Sequence, residues 1–169
     1  MEATKKTRED IMKADSKAPN LKIKKSDEIA AFFETLLAST YALYLRTQNY
    51  HWNVIGTQFL TFHQMFQDQY EELAEAVDEI AERIRTLGFF PEGSFESFAK
   101  RSIFKEEKKP LNAMQMIESL LEGHEALSRL LREHLSFVEK QEDGASADFI
   151  NKRLALHEKT AWMLRSTLS

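Results

Sequence analysis

The chain has 169 residues, a net charge of −4, 43% hydrophobic and 30% charged residues, which suits one helical domain with its own core. It has no cysteine, which excludes disulfides and thiolate metal sites and fits a reducing cytoplasm. The sequence shows neither a run of the ~20 apolar residues that cross a bilayer nor the apolar segment of a signal peptide, so we expect a cytoplasmic protein without membrane contact.

The first 25 residues are basic, whereas the rest of the chain is acidic. In residues 1–25, eight lysine and arginine side chains stand against four carboxylates, which gives +4 and leaves −8 for residues 26–169. Basic side chains on a flexible tail neutralise phosphates without reading sequence, and no base-reading motif accompanies them. We therefore predict a flexible arm that either binds DNA non-specifically or is an ordinary solvated terminus. Its candidate DNA contacts are Lys5, Lys6, Arg8, Lys13 and Lys17.

Four long helical patterns occupy residues 26–169. Apolar residues recur at helical spacing over residues 27–50, 58–87, 113–140 and 147–168. The connector 88–111 is too long for a structureless loop inside a compact domain, so we predict a short helix near residues 94–104. Trp162 is predicted to pack in the core. Helices of this length, with one long crossover between the second and third, predict an all-α four-helix bundle.

Two histidines and two carboxylates form a candidate metal site. His51 precedes the loop NVIG, and His63 shares a broad face of the second helix with Asp78 and Glu82. The fifteen residues from His63 to Asp78 rise about 22 Å, whereas metal–ligand bonds are about 2 Å long. A shared ion therefore requires a second copy, packed antiparallel about a two-fold axis that forms each contact twice. Two imidazoles with two carboxylates would suit Fe(II).

A simpler interpretation fits the same residues. A histidine beside aromatic residues is commonly a packed or surface residue, and carboxylates four apart among other glutamates are typical of a solvated helix face. The chain would then be a plain bundle without a metal. A di-iron centre inside the bundle is not expected, because such centres use Glu-x-x-His pairs and no histidine here follows a glutamate by three residues.

The sequence resembles the Dps proteins, the mini-ferritins named as DNA-binding proteins from starved cells. The motifs that carry the resemblance are HWNVIG with a second histidine (residues 51–63), DEIAER (78–83), TLG (86–88) and EKTAWML (158–164). The resemblance runs from about residue 30 to the C-terminus and implies ferritin-like four-helix bundles assembled into a hollow homo-dodecamer. It also implies ferroxidase centres at two-fold interfaces, where His51 and His63 from one subunit meet Asp78 and Glu82 from its mate as catalytic and metal-binding residues.

The resemblance further implies an iron-oxidising and iron-storing function. Members of the family oxidise Fe(II), typically with hydrogen peroxide, and store ferric mineral inside the cage, which protects DNA from hydroxyl radicals. Many members carry an acidic residue four positions after the second histidine, where this chain has Gln67. Because an amide binds a hard cation more weakly than a carboxylate does, we expect a weak second iron position, with zinc as a substitute for iron.

The competing function is a nucleoid-associated, DNA-compacting protein with a vestigial metal site.

Three acidic residues near the turn between the third and fourth long helices suggest a three-fold pore that draws Fe(II) inward, although a solvated, capped turn explains them equally: Glu142, Asp143 and Asp148. The remaining histidines have no partner at ligand spacing and are predicted to be core or surface residues: His124, His134 and His157.

Overall fold

The computed structural model describes residues 14–15, 19–105 and 109–169, and this part of the chain contains five helices. They are α1 (Ser26–Asn53), α2 (Phe59–Thr86), α3 (Phe95–Arg101), α4 (Ala113–Lys140) and α5 (Gly144–Leu168). The all-α prediction and the short helix in the long crossover are both confirmed. No helix in these three stretches combines the length and apolar character that a bilayer crossing needs.

The four long helices form two antiparallel hairpins, α1 with α2 and α4 with α5. The contacts between hairpins show that α1 and α4 also run antiparallel. Phe32 near the start of α1 stacks on His134 near the end of α4, with ring centroids 4.2 Å apart. Tyr50 near the end of α1 donates its hydroxyl to Ser119 near the start of α4, at 2.9 Å. The chain is therefore a four-helix bundle in which the second and third long helices are joined by the crossover.

One apolar core runs along the bundle, built from every long helix. Gly123 of α4 brings α4 close to α1, because a Cβ at this position would lie 2.7 Å from Cδ1 of the fully buried Leu43. The prediction that Trp162 packs in this core is wrong, since its side chain is 61% exposed. Trp162 follows the buried Ala161, and the next residue of a helix turns about 100° away.

The crossover between α2 and α4 is tied to α1 by side chains that serve its backbone. Glu34 of α1 is buried, and its Oε1 accepts a hydrogen bond from the Glu92 amide at 3.1 Å. Burial raises the pKa of the Glu34 carboxyl, against a smaller lowering by that amide. Ser39 Oγ accepts from the Ile103 amide at 3.1 Å. These contacts fix the crossover against the bundle on both sides of α3.

Asp15 of the predicted arm contacts the C-terminal end of α2 and the turn that follows it. The Asp15 amide donates to the Gly88 carbonyl at 2.8 Å, and Arg85 Nη2 forms an ion pair with Asp15 Oδ2 at 2.8 Å. The division of the chain at residue 25 stays a prediction. All five candidate DNA contacts lie outside the described residues: Lys5, Lys6, Arg8, Lys13 and Lys17.

Candidate metal centre

The turn between α1 and α2 brings His51 and His63 together. His51 lies in the last turn of α1, which ends where Val54 adopts an extended conformation. Gly56 then takes a φ of 123°, a region that L side chains rarely adopt, and α2 begins at Phe59. The two imidazole rings stack with centroids 3.7 Å apart and an interplanar angle of 20°. The turn therefore places the two imidazole rings in direct contact.

A reciprocal pair of hydrogen bonds fixes the orientation of both rings. His51 Nδ1 lies 2.8 Å from the His63 carbonyl oxygen, and His63 Nδ1 lies 2.9 Å from the His51 carbonyl oxygen. A carbonyl oxygen can only accept, so each Nδ1 carries the proton and donates. In the neutral rings the lone pair is therefore on Nε2. This is the form in which histidine binds a metal ion while its other nitrogen is held by the protein.

Aromatic side chains hold the inner side of the histidine pair. The Phe59 ring lies 5.0 Å from His63, and the Tyr70 ring meets His51 edge-on at 5.2 Å. His51 retains only 9% exposure, whereas its neighbour Trp52 is 62% exposed. The rings are thus immobilised against the bundle, with an open surface beside them.

The carboxylate half of the predicted site lies elsewhere in the same chain. Asp78 and Glu82 are exposed on α2, and among the described residues neither forms a hydrogen bond or an ion pair. Because α2 is one continuous helix, Asp78 is about 22 Å along its axis from His63. No three metal-ligating side chains come together in the described part of a single chain. The structure therefore assembles the two histidines and leaves the two carboxylates apart from them.

Gln67 lies one turn after His63 on the same face of α2 and contacts the exposed Glu71. Gln67 Nε2 donates to Glu71 Oε1 at 2.8 Å. Asp68, the next acidic residue, points elsewhere and accepts from Gln64 at 2.8 Å. The second-metal candidate Gln67 is thus a neutral amide in direct contact with a carboxylate.

The three candidate pore residues have different surroundings. Asp143 is buried, caps α5 by accepting from the Ser146 amide, and receives two hydrogen bonds from Arg83 at 2.7 and 2.8 Å. Glu142 is exposed and pairs with Lys24 at 3.2 Å. Asp148 is exposed on α5. Arg83 therefore balances the charge of Asp143, whereas Glu142 and Asp148 remain the exposed acids of the three.

His124 and His157 form a buried pair that sequence spacing could not reveal, because they lie on different helices. Their Nδ1 atoms are 2.9 Å apart. Arg153 lies 3.3 Å from His157 Nε2 and also pairs with Glu72. Since a guanidinium only donates, His157 Nε2 accepts, its Nδ1 carries the proton, and His124 Nδ1 accepts that proton's hydrogen bond. The proton of His124 is then on Nε2, which has no hydrogen-bond partner among the residues that the structure describes.

Both rings of this pair are neutral. Burial lowers the pKa of His124 to about 3, and the Arg153 charge acts in the same direction. Burial also lowers the pKa of His157 well below its ordinary value, with smaller contributions from His124 and Arg153. Of the two predicted alternatives, core or surface, His124 and His157 are therefore core residues. His134 is half-buried, stacked on Phe32.

Comparison with known proteins agrees with this architecture. The ferritin-like domain family matches residues 30–169. The crystal structure of a Dps protein from Vibrio cholerae, described as a member of the ferritin-like diiron-carboxylate superfamily, superposes with a TM-score of 0.85 at 29% identity, covering 92% of this chain and 100% of that one. That from Bacillus brevis gives 0.83 at 28%, covering 85% and 97%. The family match and these superpositions show that the chain is a ferritin-like protein.

Curated relatives narrow the class. The DNA protection during starvation protein of Helicobacter pylori is 31% identical over 79% of this chain and 94% of that protein. An uncharacterised low temperature-induced protein of Nostoc is 42% identical over 77% of this chain and 74% of its own length. The chain belongs to the Dps family of the ferritin-like superfamily.

Proposed function

We propose that this protein is a ferroxidase-type oxidoreductase that oxidises Fe(II) at sites shared by two copies and stores the ferric product in a hollow homo-dodecamer. The observation that carries the proposal is the histidine pair, in which both Nδ1 atoms are held by backbone carbonyls. Each ring then offers Nε2 as a ligand. Asp78 and Glu82 of a second copy would supply the carboxylates that Fe(II) prefers alongside imidazole.

The spacing along α2 supports this arrangement between two copies. His63 and Gln67 are four residues apart, as are Asp78 and Glu82. Two antiparallel α2 helices that set His63 of one copy against Glu82 of the other therefore set Gln67 against Asp78. A two-fold axis produces the same contacts twice, so one interface would contain two identical sites.

Exposed apolar surface beside each half of the site also supports contact between copies. Next to the histidines, Ile55 is 80% exposed and Leu60 is 77% exposed. Next to the carboxylates, Val77 and Ala81 line an open groove of about 380 Å³, at whose edge Phe95 is 77% exposed. Apolar surface of this kind on both sides of a polar site is typical of an interface.

The chemistry of peroxide explains why such a site would protect a cell. Two Fe(II) ions that give one electron each to one hydrogen peroxide leave two Fe(III) ions and, after uptake of two protons, two water molecules. One Fe(II) ion that gives a single electron to peroxide instead releases a hydroxyl radical. A site that oxidises iron in pairs therefore consumes both reagents without the radical. Relatives named for DNA protection during starvation fit this role in stress.

A complementation experiment tests the proposal. Wild-type protein is loaded with Fe(II) without oxygen, mixed with hydrogen peroxide and followed by stopped-flow absorbance, beside His63→Ala and Asp78→Ala. Each variant is expected to lose the rapid phase. Co-expression of the two variants should restore about a quarter of the sites, because half of randomly formed pairs are mixed and one of their two sites is intact. Sedimentation of each sample checks that assembly is unchanged. Oxidation in wild type no faster than that of free iron would overturn the proposal.

Non-specific DNA binding by the basic arm is the second candidate, supported by the relative from Nostoc named a nutrient stress-induced DNA-binding protein, which is 32% identical over 79% of this chain. Asp15 contacts α2, so truncation would disturb the bundle. The test therefore replaces lysine and arginine with glutamine in the arm alone, at Lys5, Lys6, Arg8, Lys13 and Lys17. The control replaces the exposed Lys140 and Lys159. The affinity for DNA, measured by gel shift over a salt series, should fall only in the arm variant. Equal affinities of the two variants would show that the arm does not bind DNA.

A further inference from the structure

We propose that Glu71 supplies the carboxylate of the second Fe(II) position, held there by Gln67; this inference rests on the proposed function. The resemblance to the Dps proteins predicts a weak second position, because many members have an acid where this chain has Gln67. The structure shows that the Gln67 amide is bound to a carboxylate, since its Nε2 donates to Glu71 Oε1 at 2.8 Å. With Nε2 engaged in this way, Gln67 Oε1 is left as a neutral oxygen ligand.

The geometry of α2 places the Glu71 carboxylate at the level of Gln67. Glu71 is four residues further along, about 6 Å up the axis and about 40° round the helix. Long side chains on a helix lean towards its N-terminus, so the carboxylate of Glu71 reaches back over the preceding turn. The hydrogen bond to Gln67 demonstrates that reach. Glu71 Oε2 has no partner in the part of the chain that the structure describes and is free to bind an ion.

Other acids on α2 do not meet these conditions. Asp68 lies about 100° round the helix from Gln67 and is bound by Gln64. Glu75 is about 12 Å further along the axis and about 80° away. Glu71 is therefore the acid on this helix whose carboxylate reaches the position that antiparallel packing sets against Asp78 of the second copy.

Charge balance favours a third carboxylate at the paired site. Two Fe(II) ions bring four positive charges, whereas neutral imidazoles bring none and the two carboxylates of the second copy bring two negative charges. Hard divalent ions bind carboxylate oxygen more strongly than amide oxygen. Glu71 raises the negative charge to three and lets peroxide meet two ions at once, which the radical-free reaction requires.

The test is anaerobic calorimetric titration of the assembled protein with Fe(II), comparing wild type with Glu71→Gln. Wild type should bind two Fe(II) ions per site. Glu71→Gln should bind the first ion as wild type does, whereas its affinity for the second ion should fall about tenfold or more. Glu75→Gln, one turn further along the same exposed face, is the matched control and should match wild type. Gln67→Glu added to Glu71→Gln should restore the second ion, which separates a ligand role from damage to the helix.

The outcomes distinguish this inference from the proposed function. If Glu71→Gln binds the same number of ions as wild type with the same affinities, whether one or two, Glu71 is not a ligand, while the shared site stands. If Glu75→Gln weakens the second ion as much as Glu71→Gln does, the effect is general electrostatics and the assignment of Glu71 fails. If wild type binds no Fe(II) and His63→Ala changes nothing, the proposed function itself fails.

Discussion

Acid should destabilise this protein through the neutral histidine pair inside the bundle. Burial lowers the pKa of His124 to about 3, whereas an exposed histidine in the unfolded chain titrates near 6.5. Between these values the unfolded chain binds more protons than the folded one, so stability falls as pH falls below about 6.5. From about pH 7.5 to about pH 5, His124 alone should remove about 2 kcal/mol of unfolding free energy, and His157 adds to the loss in the same direction.

The variant His124→Asn isolates this effect. The Asn side-chain oxygen can accept the hydrogen bond from His157 Nδ1, but it does not titrate. Urea unfolding followed by circular dichroism, at one protomer concentration and several pH values, gives the free energy for both proteins. All other titratable groups are common to both proteins, and so their contributions cancel in the difference.

The expected result is a different pH dependence of the free energy of unfolding, and not only a different value at one pH. The substitution leaves a smaller side chain in the core and so lowers stability at neutral pH, yet the gap between variant and wild type should narrow by about 2 kcal/mol on acidification to about pH 5. Parallel curves would refute the reasoning, because they would mean that His124 takes up a proton in the folded state as easily as in the unfolded one.

Two further predictions concern packing and charge in the bundle. Glu72→Ala should lower the free energy of unfolding by about 3 kcal/mol, because it leaves the buried guanidinium of Arg153 without its carboxylate. Glu79→Ala removes only the exposed ion pair with Lys152 and should lower it by less than about 1 kcal/mol. Urea unfolding of the two variants and wild type measures both values. Gly123→Ala should destabilise the protein by about 1–3 kcal/mol, because the added Cβ would clash with Leu43. In a Leu43→Ala background the clash is gone and alanine favours helix, so the same substitution should stabilise the protein by up to about 1 kcal/mol. A double-mutant cycle measures both effects, and the same sign in both backgrounds would contradict this reasoning.

Sequence periodicity predicted the helices well because each long helix buries a continuous apolar stripe in a shared core. The proximity of His51 and His63 could also be predicted from the sequence, since the two residues flank a short loop that contains a glycine. Local patterns failed where the deciding contact joins distant segments. His124 meets His157 from another helix. Asp143, predicted to belong to an acidic pore or to a solvated, capped turn, does cap α5, but it is buried and paired with Arg83, sixty residues earlier. Such pairings depend on how the two hairpins dock.

The separation of the two halves of the site has a physical consequence for assembly. The histidine half is rigid within one chain, because crossed hydrogen bonds hold both rings before any ion arrives. The carboxylates of Asp78 and Glu82 are exposed on a different part of α2 and have no ion-pair partner among the described residues. On the proposed function, they gain a counter-charge when another copy brings an ion to them. On the proposed function, an ion bound between copies must strengthen their association, and association must strengthen ion binding by the same factor. A single chain then holds iron weakly and oxidises little of it, which confines the reaction with peroxide to the assembled protein, where the ferric product can be stored.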